Sequence, residues 1–172
     1  MDLNNLAIRE LKLTDAKLIL DVFRSDEKIM SRQGTVRCLC EAEEYIKRFT
    51  DPAKAYTEVL YNPLTFEKKP EILAAVTLQF DHKNRSAFVS YWVKCEYRNK
   101  GLASFLVSNL CDRAFCLFNL DRLELMYRLN NPASAVIAKR ASFTIEGIER
   151  QKLIMDGKRI DVAICGRLKD DK

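Results

Sequence analysis

The chain has 172 residues, with 29 Lys and Arg against 24 Asp and Glu, for a formal net charge of +5. Apolar residues make up 48% and charged ones 31%, which excludes a disordered chain and suits one folded domain with its own core. A single histidine, His82, excludes zinc-protease helices and paired-imidazole chemistry, and five glycines leave room only for a sparse phosphate loop.

Residues 6–13 alternate well enough for an opening strand, and Thr14 and Asp15 make a good helix start. Ala16, Leu18, Ile19, Val22 and Phe23 then form an apolar stripe at helical spacing. Residues 31–40 read as irregular, and residues 41–49 as a second short helix with Glu on its exposed positions. Residues 56–61 read as a strand. Asn62, Pro63, Lys68, Lys69 and Pro70 mark a turn region. Residues 72–80 and 86–93 are two strands joined by a hairpin loop over 81–85.

The longest helix is predicted over 101–118, where Leu102, Phe105, Leu106, Leu110, Ala114 and Leu117 keep helical spacing against Ser104, Ser108 and Asp112. A strand over 122–126 follows, then a helix from Pro132 to about Ala141. Strands over 143–148 and 160–165 close the chain across Asp156 and Gly157. The order β-α-α-β-β-β-α-β-α-β-β, without repeat or linker, predicts a single α/β domain over residues 1–172.

Basic residues come in pairs such as Lys139-Arg140, with no run of five or more, so nothing supports a nucleic-acid arm. The longest apolar stretch, residues 104–120, is interrupted by Asp112 and Arg113, so no membrane span is expected. The opening residues lack the basic and apolar regions of a signal peptide. The six cysteines, at 38, 40, 95, 111, 116 and 165, are therefore expected to be reduced core residues. Cys38 and Cys40 lack metal or redox spacing, and lone His82 reads as a surface turn residue.

The stretch from Tyr91 to Ala103 carries the chemistry. A strand ends near Val93, a polar turn follows, and Gly101 opens the long helix. Such a turn offers backbone N–H groups and the positive end of a helix dipole to a pyrophosphate. Gly101 and Ala103 allow close backbone approach, while Lys94, Arg98 and Lys100 add positive charge.

Together with Ser90-Tyr-Trp-Val93, Asn131-Pro-Ala-Ser134, the block over 143–147 and the block over 156–161, this loop resembles the GNAT superfamily of acetyl-CoA-dependent N-acetyltransferases. More narrowly it resembles the RimJ/RimL group, which acetylates N-terminal amines of ribosomal proteins. The resemblance runs from about residue 72 to 168 and covers the opening segment; it is thin over 26–60. It implies a GNAT fold: a mixed central sheet of six to seven strands, splayed at the coenzyme site and flanked by about four helices.

By that resemblance Arg98, Asn99, Lys100, Gly101, Leu102 and Ala103 hold the coenzyme pyrophosphate. Trp92, Val93 and Lys94 lie beside the pantetheine arm, Asn131 bonds near the thioester, and Ser134 lies close to the sulfur. The Val93 N–H is the expected oxyanion donor, and Ser134 the expected proton donor to the departing thiolate. No metal is implied. The expected partners are acetyl-CoA and an amine acceptor, most simply a protein N-terminus, with no direct nucleic-acid or membrane partner. The chain is expected in the cytoplasm as a monomer or homodimer.

The sequence departs from the family at three places. Phe88 and Leu153 stand where relatives carry acidic residues, and Ser142 replaces a turn glycine. Asp81, Tyr91 and Glu146 are the remaining base candidates, each more simply structural. An α-amine, with a reference pKa near ~7.7–8.0, is about a tenth neutral at neutral pH; a lysine amine near ~10.4 is neutral in under about one molecule in a thousand. Loss of a base therefore favours an α-amine acceptor. The alternatives are a small-amine acetyltransferase, with Glu41, Glu43 and Glu44 lining an acidic pocket for a polyamine or aminoglycoside, and an acetyl-CoA-binding regulatory module with weakened catalysis.

Overall fold

The computed structural model describes residues 6–30, 32–63 and 69–171, with Ile29 through its backbone alone. Ser31 and Lys68, assigned above to irregular and turn segments, lie outside the described residues. Seven strands form one sheet in the order β1-β2-β3-β4-β5-β7-β6. They are β1 (Ala7–Glu10), β2 (Ala55–Asn62), β3 (Glu71–Asp81), β4 (Ser86–Val93), β5 (Arg122–Arg128), β6 (Thr144–Met155) and β7 (Lys158–Leu168). The helices are α1 (Ala16–Ser25), the single-turn α2 (Glu27–Met30), α3 (Leu39–Phe49), α4 (Leu102–Leu117) and α5 (Pro132–Arg140). The fold is the expected mixed α/β sheet with four longer helices.

Every strand pair is antiparallel except β4 with β5, which are joined through α4. A parallel pair needs such a crossover, and the helix that makes it must bury one face on the sheet. Leu102, Leu106, Val107, Leu110, Cys111, Ala114 and Phe115 form that face and pack on Val76, Leu78, Ala87 and Val89. Phe105 and Leu117, expected on it, are 55% and 56% exposed. At 100° per residue they fall on the flanks, and Val107, Cys111 and Phe115 complete the stripe instead. On the opposite sheet face, α1 and α3 bury Ile19, Val22, Phe23, Ala42 and Ile46 against Val59, Ile72, Ala75 and Trp92. Central β3, covered on both faces, accordingly has a continuous apolar run over 72–76 rather than an alternating one.

Two expectations are revised. Only Cys111 and Cys165 are buried; Cys38 instead caps α3, its sulfur accepting the Glu41 N–H at 3.4 Å, and Cys40, Cys95 and Cys116 are exposed. The last hairpin is longer than the sequence suggested. β6 continues past Ile148 to Met155 through a bulge between Glu149 and Leu153, where Gln151 takes φ 54°. The Asp161 carboxylate accepts the Gln151 N–H at 2.8 Å and stabilises the bulge.

Candidate functional site

The parallel pairing of β4 and β5 lasts three residues, from Ser86 opposite Arg122 to Phe88 opposite Glu124. Beyond that the strands separate, leaving a cleft of about 970 Å³ through the sheet. One wall is the second half of β4, the other is Met126, Tyr127 and Arg128 of β5, and the α4 and α5 N-termini stand over it. The direction of the β4 amides follows from one bond. Lys94 N–H donates to the Leu73 carbonyl at 2.8 Å while Val93 is opposite Ala74. Ala74 and Val93 are therefore a non-hydrogen-bonded antiparallel pair, and the Val93 N–H and C=O point away from β3, into the cleft. The Val93 carbonyl accepts the Arg98 Nε–H at 3.1 Å.

The turn after β4 ends at Gly101, which caps α4 with φ 77°; Asn99 is also left-handed, with φ 59°. An added Cβ at Gly101 would meet nothing within 4 Å, so the glycine is required by its backbone conformation rather than by crowding. The first-turn amides of the 16-residue α4 open on the cleft beside Arg98, Asn99, Gly101, Leu102 and Ala103. That combination of orphan N–H groups, dipole and open space fits a pyrophosphate.

Facing this loop, Asn131 caps α5. Its Oδ1 accepts the Ser134 N–H at 3.3 Å, and its Nδ2 donates to Ser134 Oγ at 2.9 Å. The Tyr91 phenol lines the same cleft from the β4 wall, and burial pushes its pKa up. With Asn131 donating into Oγ, the Ser134 proton is left to donate outward.

Residues 5–144 match the acetyltransferase (GNAT) domain. The chain belongs to the GNAT acetyltransferase family. It is 29% identical over 89 residues to the putative ribosomal N-acetyltransferase YdaF of Bacillus subtilis, covering 52% of this chain and about half (49%) of that protein. Among solved structures, RimL, a ribosomal L7/L12 α-N-protein acetyltransferase in complex with coenzyme A, superposes with a TM-score of 0.82 at 18% identity over 98% of this chain and 96% of RimL. Dodecameric spermidine N-acetyltransferase from Vibrio cholerae superposes with a TM-score of 0.78 at 22% identity, covering 96% and 95% of the two chains.

Of the residues singled out in the sequence, Val93, Arg98, Asn99, Gly101, Leu102, Ala103, Asn131 and Ser134 line one cleft. The expected cationic collar is largely engaged elsewhere. Lys94 pairs with Glu71 at 2.9 Å and lines a separate hollow of about 360 Å³ between α1 and β3. Lys100 donates to the Glu96 carbonyl at 2.9 Å and does not line the cleft. Arg98 lines it but is held by Asp26 at 2.5 Å. Trp92 reaches the cleft, although its indole is 6% exposed in the α1–α3 core and donates to the Tyr45 hydroxyl at 3.2 Å.

The three base candidates separate clearly. Asp81 is spent on the β3–β4 hairpin, accepting from the Asn84 N–H at 3.1 Å and its Nδ2 at 2.7 Å. Glu146 is ion-paired with Arg122, which holds its carboxyl below the usual range. Tyr91 is in the cleft, but its raised pKa makes it a proton donor. Among the described residues, no Asp or Glu lines the cleft. His82 is on the hairpin, its Nε2 2.9 Å from the Ala53 carbonyl.

Sequence reasoning did not assign Met30 at the end of α2, Arg32 and Gln33 just after it, nor Arg128, Lys152 and Met155, to the site. Gln33 Nε2 donates to the Tyr91 carbonyl at 3.5 Å, and Lys28 pairs with Asp156 at 3.6 Å, so α2 meets the β6–β7 turn at this end. Arg128, one turn before Asn131, was the findable signal: a long cation at the end of a strand facing the opening.

Proposed function

We propose that this domain transfers an acetyl group from acetyl-CoA to the N-terminal α-amine of a protein, such as a ribosomal protein, by direct attack on the thioester. The observation that carries the acceptor class is a cleft without a carboxylate among its described lining residues. A polycationic amine would find no counter-charge there, and a lysine ammonium no base to deprotonate it. An α-amine, with its reference pKa near ~7.7–8.0, needs neither. The Glu41, Glu43 and Glu44 cluster does not line the cleft, so the acidic residues in the sequence that favoured a polyamine or aminoglycoside acceptor lie elsewhere.

Bound acetyl-CoA supplies an activated acetyl thioester. The backbone of residues 98–103 would hold its pyrophosphate at the α4 N-terminus, and the β4 edge at Trp92 and Val93 would flank its pantetheine arm. The Val93 N–H, aimed into the cleft, donates to the thioester oxygen as negative charge develops there. Asn131 fixes the Ser134 rotamer, and Ser134 donates its proton to the departing sulfur. Water then restores the Ser134 proton. Water takes the proton released by the attacking amine. This intact donor arrangement favours a working enzyme over a silent coenzyme-binding module.

Initial acetyl-CoA turnover rates against N-terminal peptides, blocked lysine, spermidine and an aminoglycoside test the reading. Peptides with a free α-amine should give the highest kcat/KM. A polyamine or drug preferred over every peptide overturns it.

A further inference from the structure

The charge lining the cleft is one-sided: Arg32, Arg98, Arg128, Arg140 and Lys152 all line it, with no Asp or Glu among the described lining residues. Arg98 is answered by Asp26 and Lys152 by Glu149 at 2.8 Å. Arg140 ends α5 beside α4, whose Ser108 hydroxyl donates to the Arg140 carbonyl at 3.4 Å, and so belongs to the coenzyme side.

Arg32 and Arg128 remain. Arg128 is half-buried, and its one described side-chain bond runs from Nη1 to the Met155 sulfur at 2.7 Å. A thioether is a weak acceptor for a group with five donors in a fork that matches a carboxylate. Burial, then the charge of nearby Arg32, pulls its pKa down: the folded protein holds two like charges together in a partly dry opening. The Arg128 carbonyl accepts the Asn131 N–H at 2.8 Å, which ties this guanidinium's strand end to the residue that orients Ser134. Gln33, next to Arg32, reaches the Tyr91 carbonyl from the other side.

We infer that Arg32 and Arg128 bind a carboxylate carried by the acceptor close to its reactive amine, and so select acidic acceptors. This rests on the α-amine reading above. On that reading the carboxylate belongs to an Asp or Glu at the second or third position of the acceptor protein. The α-carboxylate of a free amino acid presents the same chemistry at similar spacing.

The test uses the whole protein, acetyl-CoA and C-terminally amidated hexapeptides with N-terminal Ser that differ only in having Glu, Gln or Lys second; free serine and glutamate form a second arm. The Glu peptide should exceed the Gln peptide in kcat/KM by about tenfold or more, mainly through KM, with the Lys peptide weakest. The Glu-to-Gln ratio should fall toward one in Arg128→Gln and in Arg32→Gln, and should shrink with added salt. Arg32 is exposed, so its variant keeps the test informative should Arg128→Gln fold poorly. Peptides acetylated with a Glu-to-Gln ratio near or below one in the unmodified protein overturn the inference and leave the α-amine reading standing. Free amino acids acetylated in place of peptides, with activity lost in the arginine variants, uphold the carboxylate site and overturn the protein acceptor. Acetylation of spermidine or of blocked lysine, with neither peptides nor free amino acids acetylated, overturns both.

Discussion

Ser142 lies where α5 turns into β6, with φ 60°. Its N–H donates to the Lys139 carbonyl at 3.1 Å, and the Phe143 N–H donates to the Ala138 carbonyl at 2.9 Å. Those two bonds are the 5→2 and 6→1 pair of a Schellman ending, whose left-handed position glycine normally occupies. A left-handed residue with a Cβ costs about 1–2 kcal/mol, while glycine returns about 0.4–1 kcal/mol of that through its freer unfolded chain. Ser142 is exposed, so its removal sacrifices no packing. Ser142→Gly should therefore stabilise the fold by about 0.5–1 kcal/mol, a rise in Tm of about 1–4 °C for a chain of this size. Ser142→Ala keeps the Cβ and should give no rise. Differential scanning calorimetry of the three proteins decides it: an unchanged or lower Tm in the glycine variant, or an equal rise in the alanine variant, refutes the strain argument.

Ser134→Ala should lower kcat by about 10²-fold with little change in the KM for acetyl-CoA, because a positioned acid acts in the transition state; unchanged turnover with chemistry rate-limiting removes its role. For a peptide acceptor, kcat/KM should climb as pH rises through the α-amine pKa near ~8, since only the neutral amine attacks. Burial holds the Tyr91 phenol above its ordinary value, so the profile should show no descending limb below about pH 10. Glu58 is 4% exposed, and both its oxygens accept from Arg113 Nη2, at 3.0 and 2.8 Å. Arg113→Met would leave that carboxylate with the Tyr56 hydroxyl alone. It should cost about 2–3 kcal/mol, below the range of about 3–5 kcal/mol for breaking a fully buried pair because Arg113 is partly exposed, and urea denaturation reads the loss directly.

The element order was legible because apolar periodicity in this chain is strong: the α1 stripe, the buried β3 run and the hairpin over 81–85 all correspond to observed elements. The ends of elements were harder where a local bond replaces the pattern. Gln151 sits in a bulge that breaks the alternation of β6, and the Asp161 carboxylate that accepts the bulge amide comes from the partner strand ten residues on. The coenzyme side of the site was readable from contiguous residues, since residues 98–103 and 131–134 each form one local motif. The acceptor side was not, because Arg32, Arg128 and Met155 come from three distant segments brought together by the β4–β5 separation. Charge was misread for a similar reason. Lys94 sits beside the phosphate loop in sequence, yet strand alternation aims it at Glu71 on the far side of β4.

The account depends on coenzyme A occupying the opening between β4 and β5. Titrating coenzyme A into ¹⁵N-labelled protein tests this most directly. The predicted result is amide shifts confined to the β4 half after Phe88, the 98–103 turn, and residues 126–134. Shifts centred instead on Asp21, Glu71 and Lys94 around the hollow between α1 and β3 would contradict it.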